Sequence, residues 1–242
     1  MKLKYIALFL IILMSKLHAI EECEQCCRGK VDVGPAFVRV DILESNKTVK
    51  RLDMLALKAD STIVFNKCCG LSLKPTLLYG KGNHGELFSG GGGIGMCAPF
   101  WNCWTITPSV GCVYTHLSAK IAASKFGIPP FLATSIKEIF HSVSPYVAVD
   151  VTYTFSPGWR ICGMYQYSWS KTNTQLKGLP EMLKGQSPFK SHSKGPNYAL
   201  MIEHDINQSW SIQLGAAYNI SLSKEKHGLR GMGAKVAVAY WF

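Results

Sequence analysis

Gly231-Met232-Gly233-Ala234-Lys235-Val236-Ala237-Val238-Ala239-Tyr240-Trp241-Phe242 closes the chain. Met232, Ala234, Val236, Val238, Tyr240 and Phe242 fall on one side of an extended backbone, and Gly233, Lys235, Ala237, Ala239 and Trp241 on the other. A strict period of two marks a β-strand with unlike faces, one apolar and one small or polar. The preceding segment repeats it, with Trp210, Ile212, Leu214, Ala216, Tyr218, Ile220 and Leu222 opposing Ser211, Gln213, Gly215, Ala217, Asn219 and Ser221. So do 159–170, where Trp159, Ile161, Tyr165, Tyr167 and Trp169 share a face, and 143–155, where Val143, Val147, Val149, Val151, Tyr153 and Phe155 do. Shorter or noisier versions lie around 34–43, 49–58, 70–80, 86–98, 103–117 and 196–205. The reading is all-β with about ten strands. Eight is the alternative count, because Leu52, Met54, Leu55 and Leu57 within 49–66 also suit a helix.

Alternation alone does not separate a soluble sandwich from a barrel in lipid. Aromatic placement does. Trp159 and Trp169 lie on one face at a spacing of ten residues, the length a tilted strand needs to cross a bilayer. Trp104, Tyr153, Phe155, Trp210, Tyr240 and Phe242 collect toward one predicted rim, and Tyr79, Tyr114, Tyr167, Tyr198 and Tyr218 toward the other. Two aromatic girdles define a transmembrane antiparallel up-and-down β-barrel, here over 31–242. The connections agree: Ser156-Pro157-Gly158, Asn207-Gln208 and Asn66 to Cys69 are tight, whereas 118–134 and 171–195 are long and rich in Lys, Ser, Gly and Pro. With ten strands and both termini periplasmic, every short turn falls inside and every long loop outside. Pro75, Pro108 and Pro145 lie within these strands, where bulges or early strand ends are expected.

The N-terminus supplies the route. Lys2 and Lys4 precede an apolar run from Tyr5 to Met14, and a polar stretch closes on Ala19. That run is half the roughly 20 residues of a membrane helix, so 1–19 reads as a cleaved secretory signal peptide. Its removal takes three lysines and no acid from the 26 Lys+Arg and 15 Asp+Glu, lowering the net charge from +11 to +8. Segment 20–30 is a cysteine-rich periplasmic stretch. Nine cysteines in an exported chain imply disulfides. The ten-strand topology puts Cys23, Cys26, Cys27, Cys68, Cys69, Cys97, Cys103 and Cys162 at the periplasmic rim, with only Cys112 deeper. Bonds to other envelope proteins or to a second copy suit vicinal pairs such as Cys26-Cys27, whose mutual bridge would be strained. A zinc reading of Cys23-x-x-Cys26 is the weaker alternative.

A signal peptide, alternating strands and a terminal aromatic strand in Val236 to Phe242 resemble the Gram-negative outer-membrane β-barrel proteins. That resemblance implies outer-membrane localisation, contact with outer-membrane lipids, and recognition of the last strand, with Tyr240 and Phe242, by the barrel-assembly machinery. The cluster Cys23, Cys26 and Cys27 also loosely resembles the N-termini of chlamydial and Legionella-type major outer-membrane proteins.

No catalytic constellation emerges. His204 and Asp205 are sequence neighbours, so on a strand they face opposite sides. His116 and His141 take the lipid-facing parity, and His84, His192 and His227 fall in loops. Gly90 to Gly95 lacks the lysine and helix of a phosphate loop and reads as a strand needing close approach. No cofactor, metal or nucleic-acid partner is expected. Arg39, Asp41, Lys74, Asp150, Arg160, Glu203, Asp205 and Lys235 share the inward parity and would fill a narrow lumen as an ionic plug. Lys171, Lys177, Lys184, Lys190 and Lys194 make the loop 171–195 basic, a field that concentrates anions such as acidic glycans. The leading expectation is a non-enzymatic envelope barrel, disulfide-linked at its periplasmic rim and displaying basic loops. A small porin-like channel is the alternative, and a lipid-modifying barrel enzyme a third.

Overall fold

The structure is a computed structural model that describes residues 28–66, 70–100, 103–122, 135–177 and 189–242. The expected signal peptide, most of the 20–30 segment, Cys23, Cys26, Cys27, Cys68, Cys69 and Lys184 lie outside the described residues. The strands are β1 (Lys30–Glu44), β2 (Lys47–Asn66), β3 (Leu71–Gly82), β4 (Gly85–Met96), β5 (Ala98–Phe100), β6 (Trp104–Ala122), β7 (Ser135–Ser156), β8 (Trp159–Lys177), β9 (Phe189–Asp205), β10 (Trp210–Leu222) and β11 (Gly228–Trp241). Each neighbour pair is antiparallel, β1 pairs with both β2 and β11, and β4 pairs with β6. The sheet therefore closes into a barrel of ten long strands. The three-residue β5 is a short extension beside β6 at the inner rim. The stretch 49–66 is strand throughout, which decides for ten over eight.

The prolines neither bulge nor end their strands. At Pro145 the β7–β8 ladder passes from Val143↔Lys171 to Tyr146↔Ser168 without a change of register. At Pro75 the β2–β3 ladder passes likewise from Asp60↔Thr76 to Ile63↔Leu73. Each proline drops a rung on one side only, where its missing N–H would have donated, and keeps its pairing on the other: Pro75↔Gly92 and Pro145↔Cys112. Pro108 pairs with Val149 in the same way.

Even-numbered residues of β10 and β11 and odd-numbered residues of β8 face outward, as the alternation predicts. Leu214 is 60% exposed and Val236 51%, while Ser211 and Gln213 are buried. Large exposed aliphatics around the whole wall, among them Val33, Leu57, Leu77, Val110, Val147 and Leu200, would not be stable in water. Aromatic rims bound them. At the inner rim Trp104 stacks on Tyr153 at 4.4 Å, Trp159 on His204 at 4.2 Å, and Trp210 meets Tyr240 at 5.0 Å. At the outer rim Tyr165 meets Tyr198 at 5.4 Å and Tyr167 meets Trp169 at 5.2 Å. The ten residues from Trp159 to Trp169 rise about 33 Å along the strand, or roughly 25 Å across a bilayer at a tilt near 40°.

The strands outrun that band. β7 has 22 residues, about twice the 9–11 a crossing requires. The long connections shrink accordingly: β6 reaches Ala122, β7 starts at Ser135, β8 reaches Lys177 and β9 starts at Phe189. Three outer connections are themselves short, notably Ser45-Asn46, whose φ values of 48° and 67° suit a two-residue hairpin turn.

Beyond the lipid band the faces exchange chemistry. In β1, Val31, Val33 and Phe37 are exposed outward, and with the same parity Arg39 and Asp41 face outward too; Val40 and Ile42 turn into the barrel and pack with Leu52, Met54, Leu87 and Leu117. The inward assignment of Arg39 and Asp41 is therefore wrong. Above the membrane the outside is water, so the apolar side of the strand goes in, as in a soluble barrel.

Candidate functional site

The inner half of the lumen carries a ring of paired charges that follows the wall. Lys235 on β11 reaches over β1 to Asp60 at 2.9 Å and also pairs with Asp32, while Lys58 holds Asp60 at 3.0 Å. Lys30 on β1 spans β11 and β10 to Glu203 at 3.1 Å. Glu203 also meets Arg160 at 3.4 Å and the indole N–H of Trp241 at 3.0 Å; Arg160 pairs in addition with Asp205 and lies 4.5 Å from the centre of the Trp241 ring. Lys74 spans β4 and β6 to Asp150. Within the glycine run, Gly93 makes room for a lumen side chain: a Cβ on Gly93, or on Gly111 across from it, would stand 2.4 or 2.6 Å from the hydroxyl of Tyr146. Of the eight expected lumen charges, Lys74, Asp150, Arg160, Glu203, Asp205 and Lys235 lie in this ring. Lys30, Asp32, Lys58 and Asp60 complete the ring; they were missed because the sequence pattern starts β1 at 34 instead of Lys30 and is ambiguous across β2. Gln213, fully buried on β10, has neither side-chain amide atom hydrogen-bonded.

Among the described residues, the paired charges leave space inside the barrel. One cavity of about 2,360 Å³ runs from Arg28, Cys103 and Gln208 at the inner rim to Glu44, Lys190 and Lys224 at the outer. In its outer half the two walls differ. Val38, Val40, Ile42, Leu87, Leu117 and Phe140 line one side; the other is a hydroxyl surface from β7 to β10, with Ser144 bonded to Ser170 at 2.7 Å and Ser193 to Ser221 at 2.8 Å.

The outer surface above the girdle is basic. Lys120 pairs in register with Lys137, and Lys137 with Lys177, all three exposed on one face. Lys171 lies opposite His192, Trp169 opposite Lys194, and Asn173 opposite Lys190. Of the basic loop, Lys171, Lys177, Lys190 and Lys194 are therefore strand residues. Around the barrel, Asp41 is fully buried between Arg230, at 2.6 Å, and Arg51, at 2.9 Å, and Arg39 pairs with Asp53 at 2.6 Å. Burial opposes the charge on Asp41, but the two guanidiniums outweigh it and hold its carboxyl below the usual range.

The histidines are dispersed. His204 belongs to the inner girdle and His84 to the β3–β4 turn; His116 and His141 meet on the outer girdle, with Nδ1 atoms 3.3 Å apart and the Tyr114 hydroxyl 2.8 Å from His141. Cys97 and Cys103 flank β5 at the inner rim, Cys162 faces the lumen two residues beyond Arg160, and Cys112 is exposed on the outer face of β6. Tyr240 and Phe242 stack at the end of the last strand.

These features define a ten-stranded transmembrane β-barrel of the kind found in Gram-negative outer membranes. The outer-membrane protease OmpT from Escherichia coli superposes with a TM-score of 0.53 at 11% identity, covering 90% of this chain and 98% of that one. The translocator domain of the autotransporter NalP from Neisseria meningitidis gives 0.51 at 9% identity, covering 99% and 98%. At such identities the likeness is one of fold. No protein-family model and no curated protein matches the sequence.

Proposed function

We propose that this chain is a non-enzymatic outer-membrane barrel that binds anionic groups at the cell surface through a basic belt on its outer strand ends. The observation that carries the reading is the in-register row Lys120, Lys137 and Lys177. Like charges directly opposite one another on a sheet destabilise it, and a bound anion removes that cost. Lys171, Lys190, His192 and Lys194 extend the same surface across β8 and β9. Held on strands, these ammonium groups keep a fixed spacing just above the lipid, where phosphates of outer-leaflet lipopolysaccharide and acidic glycans are both within reach. At the opposite rim, cysteines anchor the barrel by disulfides to envelope partners or to a second copy, and the barrel-assembly machinery reads Tyr240 and Phe242.

The test is retention on a sulfated-glycan matrix at low salt. Replacing Lys120, Lys137, Lys171, Lys177, Lys190 and Lys194 by glutamine should abolish it, and raising the wild type to 1 M salt, where screening acts within about 3 Å, should elute it. Undiminished retention of the variant would refute the belt. For the cysteines, non-reducing gels of the envelope should show higher-mass species that collapse with reductant and require Cys23, Cys26 and Cys27; monomer under both conditions would leave only internal bridges.

A further inference from the structure

The lumen points to a second activity beyond the basic belt. We infer that its outer half is a binding and passage site for small uncharged polyhydroxylated solutes, of the sugar or polyol class. Three observations converge on that chemistry. First, the cavity of about 2,360 Å³ exceeds the 300–1,000 Å³ of ordinary small-ligand pockets and reaches both rims.

Second, its walls are unlike. Val38 and Phe140, partly exposed over the buried cluster of Val40, Ile42, Leu87 and Leu117, present an apolar surface. Beside Phe140 on β7 and across to β8, Ser142, Ser144, Ser170 and Thr172 form a connected hydroxyl chain, with contacts of 3.4, 2.7 and 3.2 Å, of which Ser144 and Ser170 are the accessible members. Each hydroxyl has one proton and two lone pairs, so these chains retain acceptor sites for a ligand. Gln166, Asn197 and Asn219 add side-chain amides that face the cavity, each offering donors and an acceptor. A sugar has the matching division, with C–H faces for the apolar wall and hydroxyls that both donate and accept.

Third, the charges below select against ions. Lys30, Lys58, Lys74, Arg160 and Lys235 are balanced by Asp32, Asp60, Asp150, Glu203 and Asp205, each charge already paired. The ring itself is neutral, unlike the rims with Arg28 at one end and Lys190 and Lys224 at the other, and an ion moving along the apolar surface loses hydration that nothing there replaces.

The experiment uses the mature chain in lipid vesicles and measures entry of radiolabelled glucose, gluconate and glucosamine, three solutes of similar size and different charge. Glucose should enter at least tenfold faster than either charged analogue. The double substitution Ser144→Leu/Ser170→Leu should lower the glucose rate at least fivefold, and Lys81→Gln, exposed on β3 away from the cavity, should leave it unchanged. If the leucines prevent folding, Ser144→Ala/Ser170→Ala removes only the two oxygens and should raise the half-saturating glucose concentration at least threefold. Glucose entry no faster than into empty vesicles, equal entry of all three solutes, or indifference to loss of the serine oxygens would overturn the inference.

Discussion

Leu214 and Ala217 lie three residues apart on β10 and face different solvents: Leu214 stands in the lipid band, and Ala217 lines the lumen. Leu214→Arg should cost roughly 2–4 kcal/mol, the expense of an arginine near the bilayer midplane, and Ala217→Arg much less. Urea unfolding from lipid vesicles measures both, and equal losses would mean the faces are reversed. Gln213 is the opposite case, a buried amide with no partner. An unsatisfied buried group costs about 1–3 kcal/mol, so Gln213→Leu should be neutral or stabilising in the same assay, and a clear loss would show that the amide is engaged. Glu138, at the outer end of β7 beyond the girdle, titrates abnormally. Burial, and after it the Glu44 carboxylate, push its pKa up to about 7. The folded chain then holds that proton more tightly than the unfolded chain, so its stabilising contribution is full below the ordinary glutamate range and is lost as pH rises through about 7. Glu138→Gln should match the wild type at pH 4 and exceed it in stability at pH 8; the same difference at both pH values would assign the effect to something other than that proton.

Among the elements, β10, β11 and the stretch of β8 from Trp159 to Trp169 were legible from sequence because lipid lies on one side of them, and a single rule fixes each face. β1 and β2 were only half legible. Their outer ends stand in water, and the alternation that marks Val38, Val40 and Ile42 as apolar says nothing about which side is wet. Only the register with β11, where Asp41 meets Arg230, decides it. The correction has an energetic consequence. Arg230 donates two hydrogen bonds to a fully buried carboxylate, so Arg230→Met should cost roughly 1.5–3 kcal/mol, the range for a bond to a charged group. Arg39→Met should cost under about 1 kcal/mol, because its pair with Asp53 is exposed. Equal and small effects in urea unfolding would contradict the placement of Asp41. The ion ring was partly legible for a different reason: parity names the inward residues, but a span such as Lys30 to Glu203 depends on barrel curvature, which no local pattern encodes.

For the whole molecule, closure through the β4–β6 and β1–β11 pairs removes every long free edge, the requirement for strands in a medium that cannot hydrogen-bond them. Among the described residues, charges paired strand to strand leave a cavity of about 2,360 Å³ inside the barrel, whereas the same charges directed to the axis would have filled it; the sequence allows both. The basic belt and the cavity are consequences of this one architecture, since both depend on strands that continue past the membrane. Both rest on the chain spanning the outer membrane as a closed barrel. Electrophoresis of the outer-membrane fraction, with and without boiling, tests it directly. The protein should be in that fraction and should run faster unboiled than boiled, because a closed barrel resists detergent unfolding. A chain recovered in the soluble periplasmic fraction, with one mobility under both conditions, would contradict the account.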